Sequence, residues 1–442
     1  MKKIYNIALF VLGVSFGTYS QHGKAWNNWH FGWFASMEFT TGSPVATTGS
    51  GMISEEGAAS YSDDQGNLLF YTNGGGDGSI FTGPGAVWNK NHEIMPNGNI
   101  DATAGCSSSP QSALVIPKVE HEYYLFTMGC GNNQGLRQSI VDMTLDNGLG
   151  DIALVGDPVF GGAANPLAEC LTATRHYNGT DYWLIAHGRN NSSFYVFLVT
   201  STGISGPTIY DVGTGTDNHG QMKITAEGDK IAYGHELFEF DKSSGIVSYF
   251  ANIGRAAWGR CFSSSGRYLY ITGELGVGNV YQYDLQSSNI AGSEIEIAGG
   301  GLFAGPMQLG PDLKIYVATY GTSSLGVINY PEDPGTLCDF VVDQIPLNSN
   351  CQLGLPNYID SYIIENSLSV LDKNQEIGVF PNPTNGIVHF KSILTSEARI
   401  TNIEGQELLL VNSGIDELDL SNFPSGIYLI HYKNGVERLI KQ

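Results

Sequence analysis

The chain of 442 residues carries a formal net charge of −22, has only 14% charged residues, and holds 57 glycines and 23 tyrosines. A negative field of that size repels nucleic acid and anionic lipid headgroups, so neither is an expected partner. Hydrophobic content of 42% supports a sizeable core, and many glycines and aromatics with few charges suit short strands and tight turns rather than helical bundles.

Residues 1–20 read as a signal peptide. Lys2 and Lys3 form a basic start, Ile7 to Phe16 a short apolar run, and Thr18 and Ser20 suit cleavage before Gln21. The run is too short to span a bilayer. No cysteine follows it, so lipid attachment is not expected, and no later segment is apolar enough to cross as a helix. Loss of the two lysines takes the mature charge from −22 to −24.

From residue 21 to 365 one pattern recurs: apolar strand, polar turn, apolar-aromatic strand, Gly-rich loop. The second strand is clearest, as Leu68-Leu69-Phe70-Tyr71, Tyr123-Tyr124-Leu125-Phe126, Tyr182-Trp183-Leu184-Ile185, Lys230-Ile231-Ala232-Tyr233, Tyr268-Leu269-Tyr270-Ile271 and Lys314-Ile315-Tyr316-Val317. A spacing of roughly 40–60 residues is that of four-stranded propeller blades. Six copies are visible. A seventh is expected from the two ends, with Leu355 to Ile364 as inner strand and Trp29 to Val45 as outer strands, which would remove the exposed sheet edges. The fold class is therefore all-β, a seven-bladed β-propeller followed by a small Ig-like antiparallel β-sandwich. Residues 366–377 turn polar and read as a linker, and residues 378–442 form the second unit.

In a propeller the loops after second strands and the segments leading into inner strands lie on one face. That rule places His187, Arg189, His219, His235, Arg255, Trp258, Glu274 and Tyr320 on the face, with Gln111, Glu169, Gln221 and Arg260 around the channel mouth. From these, Gln111, Glu169, His187, Arg189, His219, Arg260 and Tyr320 are the expected ligand-binding residues, since polar and aromatic groups converging on a funnel suit a glycan or peptide. The same groups can instead satisfy one another and water.

Catalytic signatures are absent. The His-Glu pairs at His92, His121 and His235 do not extend to HExxH, there is no GxSxG, and Gly74-Gly75-Gly76 and Gly299-Gly300-Gly301 lack a phosphate-loop Lys. Asp63-Asp64-Gln65-Gly66-Asn67 has calcium-loop composition but occupies the repeated turn position. No catalytic residue, metal or cofactor is assigned.

The six cysteines contain no CxxC pair. Cys170 and Cys261 fall in blades that are not neighbours, so both are expected free and buried. Cys106 with Cys130, and Cys338 with Cys351, are each close in sequence and are expected to be disulfides, as an exported protein allows.

The tail reads as a sandwich. Pro381-Asn382-Pro383 opens it, Ile387 to Phe390 is a strand, Ala398 to Val411 a hairpin around Glu404-Gly405, and Ile427 to Tyr432 with Val436 to Ile440 a hairpin around Asn434-Gly435. These residues resemble the type A C-terminal sorting domain of the type IX secretion system. Pro381, Asn382, Pro383, Gly386, Gly405, Gly426, Tyr428 and Lys441 carry the likeness, with Glu404 where Asp is usual. The resemblance implies a Gram-negative source, passage through the type IX translocon, removal of the tail by a sortase-like peptidase, and a product released or attached at the cell surface. The body is similar to propeller modules of bacterial surface and gliding-associated proteins, through Gly66-Asn67-Leu68-Leu69-Phe70-Tyr71-Thr72, Val87-Trp88-Asn89-Lys90-Asn91-His92, Thr172-Ala173-Thr174-Arg175-His176 and Gln308-Leu309-Gly310-Pro311-Asp312.

The sequence thus points to a non-enzymatic binding or adhesion module at the cell surface. An extracellular polysaccharide hydrolase or lyase using Glu169, His187, His219 and Tyr320, and a structural surface component, stand as alternatives.

Overall fold

The computed structural model describes residues 23–362 except 77–78, 101–104, 131–134, 216–219, 274–277 and 300–303, and residues 379–442 except 391–397, 403–405, 413 and 433–434. The chain divides into two compact units, residues 1–362 and 363–442. The expected signal peptide and linker lie outside the described residues.

The first unit holds six four-stranded antiparallel sheets and one three-stranded sheet among the described residues. Blade one is Ala59–Ser62, Leu68–Thr72, Ala86–Asn89 and Ile94–Asn99, and blade two Ala113–Val119, Glu122–Met128, Leu136–Asp142 and Asp151–Phe160. Blade three is Leu167–Arg175, Tyr182–Gly188, Ser193–Thr200 and Gly203–Asp211, and blade four Lys223–Ile224, Lys230–Tyr233, Glu236–Asp241 and Ile246–Asn252. Blade five is Arg260–Phe262, Tyr268–Thr272, Val280–Asp284 and Ile295–Ala298, and blade six Ala304–Leu309, Ile315–Thr319, Ser324–Ile328 and Phe340–Pro346. All six second strands fall where the repeat puts them.

Strand alternation explains how blades pack. In blade four Ile231, Tyr233, Phe238 and Phe240 face Ile185, Phe194 and Val196 of blade three. Their neighbours Ala232 and Leu237 face Phe262, Leu269 and Ile271 of blade five. Each large apolar side chain so buried contributes about 1.5–3 kcal/mol. The turns follow their sequence. Asp63 accepts from the backbone of Gln65 and Asn67, and Gly66 takes φ of 87°, which a side chain would resist.

Blade seven is the short sheet, Asn28–Phe31, Ala35–Glu38 and Val45–Ala46. The closing segment lies inside it but forms no ladder. Tyr358 reaches the Asn28 carbonyl through its hydroxyl at 2.7 Å, and Pro356 makes only an isolated parallel bridge to Ala58 of the segment leading into blade one. The reason is what this segment does instead. Asn357 donates to the carbonyls of Ala113 and Leu171, and Asp360 accepts from Gln308 at 2.8 Å and pairs with Lys223 at 3.5 Å. Its polar side chains tie blades two, three, four and six across the ring.

Cys106 and Cys130 form a disulfide, with Cα atoms 5.4 Å apart. Cys170 and Cys261 are free and buried, as expected. Their surroundings differ: Cys170 turns to Tyr233 and His187, whereas Cys261 faces Lys223 and Asp360. The expected Cys338–Cys351 disulfide is absent, and both thiols are buried and free. Cys338 pairs through its backbone with Tyr330, at one end of blade six, and Cys351 with Thr322, at the other. The intervening strand Phe340–Pro346 has seven residues, roughly 23 Å of extended chain, far beyond the ~7 Å a bridge tolerates.

The second unit is a sandwich of a three-stranded sheet (Val379–Phe380, Ile387–Phe390, Glu417–Asp419) and a four-stranded sheet (Glu407–Val411, Ala398–Asn402, Gly426–Tyr432, Gly435–Lys441). Val388, Phe390, Ile400, Leu420, Ile430 and Leu439 fill its core. The expected hairpins are present in the expected order.

Candidate functional site

The motif residues of the tail meet in one corner of the sandwich. The Asn382 amide donates to the Arg438 carbonyl at 2.7 Å and accepts from the Ile440 N–H at 2.9 Å, holding the last strand from its edge. Thr384 continues as a bridge to Lys441, and Gly386 accepts from Leu420, with no room for a Cβ beside Ser421. Gly426 pairs with Lys441, and the buried Tyr428 donates to the Pro424 carbonyl at 2.6 Å. Pro381 and Pro383 flank Asn382. Gly405 lies outside the described residues.

In the propeller, the expected channel residues separate into two groups. Gln111, Gln221 and Arg260 are buried at the axis. Gln111 accepts from the N–H groups of Leu171 and Met222 and donates to Met222 and Asn357. Gln221 repeats the device two blades on, accepting from Arg260 and Met307 and donating to Met307. Arg260 donates to the carbonyls of Gln221 and Gly234. Each side chain spans blades that strand pairing cannot join, so these residues hold the ring together.

His187 is buried between blades three and four. Its Nδ1 sits 2.8 Å from the Gly188 carbonyl and its ring lies 4.5 Å from that of Tyr233. Burial pushes its pKa down to about 4, so it is neutral at physiological pH. With His235, Thr214 and Glu236 it lines a crevice with room for about one water. Arg255 is spent on Glu294 at 2.7 Å and on the face of Tyr281. Trp258 is half-buried. His219 and Glu274 lie outside the described residues.

Glu169, Arg189 and Tyr320 do come together, around two residues the repeat did not single out, Glu55 and Glu56. Glu169 and Arg189 form an ion pair of 3.3 Å, each side chain 26% exposed. Tyr320, 42% exposed in the turn after the second strand of blade six, lies with Trp33 against the Glu55 carboxyl. Glu56 is buried beside Ser108. Desolvation, then the charges of Glu169 and Glu55, push its carboxyl up to about 9, so it stays protonated at neutral pH. Its Oε2 has no hydrogen-bond partner among the described residues.

Backbone ties fix this cluster. Ser107 accepts from the N–H groups of Glu56 and Gly57 and donates to Gly75. Ser109 donates its hydroxyl to the Glu169 carbonyl, and the Cys106–Cys130 disulfide staples the same arch. Gly354 of the closing segment crosses so near that a Cβ there would fall 1.0 Å from the Glu56 carbonyl oxygen. Beside the carboxyls the turns of blades six, seven and one expose Tyr320, Phe34, Ile80 and Phe81, and the Trp33 and Phe81 rings lie 6.4 Å apart. The sequence signal for Glu55 and Glu56 was their position, on the segment leading into the inner strand of blade one.

Fold and site together define an exported-type β-propeller with an aromatic and acidic rim and a separate sorting sandwich. Residues 378–442 match the family model of the secretion system C-terminal sorting domain, and the tail is such a domain. It directs type IX secretion to the cell surface or beyond. Among the described residues no helix is long and apolar enough to cross a membrane. The chain is similar in structure to a proposed 6-phosphogluconolactonase from Bacteroides fragilis (12% identity, TM-score 0.48, covering 75% of this chain and 97% of that one). It is also similar to PorZ, a surface component of the type IX secretion system of Porphyromonas gingivalis (12% identity, TM-score 0.31, covering 95% and 74%). Likeness at that level carries no conclusion about activity. No curated protein matches the chain.

Proposed function

We propose that the propeller is a non-enzymatic surface module that binds a glycan on the rim formed by blades six, seven and one, after export through an N-terminal signal peptide and the sorting tail. The observation that carries the reading is the half-buried Trp33 with the exposed Phe81 and Tyr320, set against the carboxyls of Glu55 and Glu56. Aromatic faces stack on the apolar faces of sugar rings, and carboxyls take their hydroxyl pairs. Aromatic rings carried by three successive blades suit an extended polymer better than a small enclosed ligand. The hydrolase or lyase reading draws on the protonated Glu56 beside Glu169, but it needs two titratable groups at fixed separation around one enclosed reacting bond. Tail removal by a sortase-like peptidase completes the proposed route.

A glycan array probed with the full chain tests the binding reading. A defined set of saccharide hits, weakened about tenfold or more by Trp33→Ala, supports it. An array without hits removes it in favour of a structural surface component.

A further inference from the structure

The rim sets three carboxyl groups against one identified guanidinium. Glu55 and Glu56 lie on the segment ahead of blade one, Glu169 lies on the first strand of blade three, and Arg189 pairs with Glu169 at 3.3 Å. Glu56 is 9% exposed, and among the described residues the Oε2 atoms of both Glu55 and Glu56 lack a hydrogen bond of good geometry. Buried carboxyl oxygens without donors are costly, and here the folded chain supplies Ser108 to Glu56, and Tyr320 and Trp33 to Glu55.

Resting on the glycan reading, we infer that this cluster is the subsite for a primary ammonium group of the bound glycan, an amino sugar whose nitrogen carries no acetyl group. An ammonium brings one positive charge and three N–H donors, enough for the two carboxyl oxygens left over. A divalent cation would need several oxygens converging on one point, and no such group of three side chains occurs among the described residues. The neighbouring Trp33 and Phe81 hold the sugar ring, and displacement of the exposed Tyr320 hydroxyl opens Glu55 to the amine. The groups facing Glu56 are Glu55 on its own segment, Glu169 from blade three and the Ser108 hydroxyl from ahead of blade two, with Arg189 facing Glu169. Glu56 is neutral below about pH 9, so an arriving cation ionises it: its O–H bond breaks and the proton passes to the buffer.

Titration calorimetry of the full chain at pH 6, in two buffers of different ionisation enthalpy, tests this with fully deacetylated chitotetraose and its N-acetylated counterpart. The expected result is binding of the deacetylated form about tenfold or more tighter, with release of close to one proton per site. Glu56→Gln is expected to abolish the proton release and bring the two ligands within about twofold of each other. Equal affinity for both ligands, without proton release, overturns the ammonium subsite and leaves the glycan reading standing. Preference for the deacetylated form that survives Glu56→Gln but vanishes in salt reflects only the net charge of the chain, and also overturns the subsite. Binding of neither ligand at millimolar concentration overturns the subsite, and the glycan array decides separately on the glycan reading.

Discussion

The axis of the ring and its rim use the same residue types to opposite ends. At the axis, Gln111, Gln221, Lys223 and Asp360 are buried and bonded to backbone or to one another. At the rim, Glu55 and Glu56 each keep one carboxyl oxygen without a donor among the described residues, beside exposed aromatic rings. A buried polar group either finds a partner or destabilises the fold. The first arrangement therefore closes a ring, and the second is the one the proposed ligand would complete.

The largest effect should come from breaking the axis. Asp360→Ala leaves the Lys223 ammonium uncompensated, its side chain only 1% exposed, and should cost about 3–5 kcal/mol in urea unfolding. The double variant Lys223→Met/Asp360→Leu should recover much of that loss. A single variant costing under about 1 kcal/mol would mean the closing segment does not hold the ring.

Next in size is the staple beneath the rim. Replacing Cys106 and Cys130 by Ser should cost about 2–4 kcal/mol, measured by thermal unfolding of the oxidised protein against the variant. Because the same arch holds the backbones of Glu56 and Glu169, ligand affinity should fall with it. A loss of stability with affinity unchanged would separate the arch from the site.

Titration sharpens the comparison further. Glu56 holds its proton up to about 9 in the folded chain against an ordinary 4.5. Between those values the folded state binds a proton that the unfolded state releases. Stability should therefore fall as pH rises from about 4.5 towards 9, by at most ~1.4 kcal/mol per pH unit from this group. His30 acts at the other end: burial, then the charge of His92, hold it near 3 against 6.5, so stability should fall as pH drops from about 6.5 to 3. Unfolding at pH 5, 7 and 8.5 should show Glu56→Gln losing the upper slope and keeping the lower one.

Much of this fold was legible because propeller blades and sorting tails repeat local patterns. The six second strands and the Asn434-Gly435 hairpin follow from alternation and turn chemistry alone. Of the proposed rim, the repeat supplied a template that pointed to Glu169, Arg189 and Tyr320. It failed at Glu55, Glu56 and Trp33, which lie around the closing blade, where the template is broken between the two chain ends. Gln111 and Arg260 were found by position, but whether a polar side chain meets a ligand or a distant carbonyl depends on contacts more than 100 residues away, as in Gln111 to Met222. The same limit misled the cysteines: closeness in sequence of Cys338 and Cys351 conceals a whole strand laid between them.

The smallest structural perturbation gives the most direct test. Phe81 and Tyr320 are exposed, so the double variant Phe81→Ala/Tyr320→Ala should leave unfolding within about 0.5 kcal/mol of the parent chain. Its binding to whichever saccharide the array identifies, measured by titration calorimetry, should fall by about a hundredfold. Affinity unchanged in a variant that folds normally would contradict the rim as the binding face.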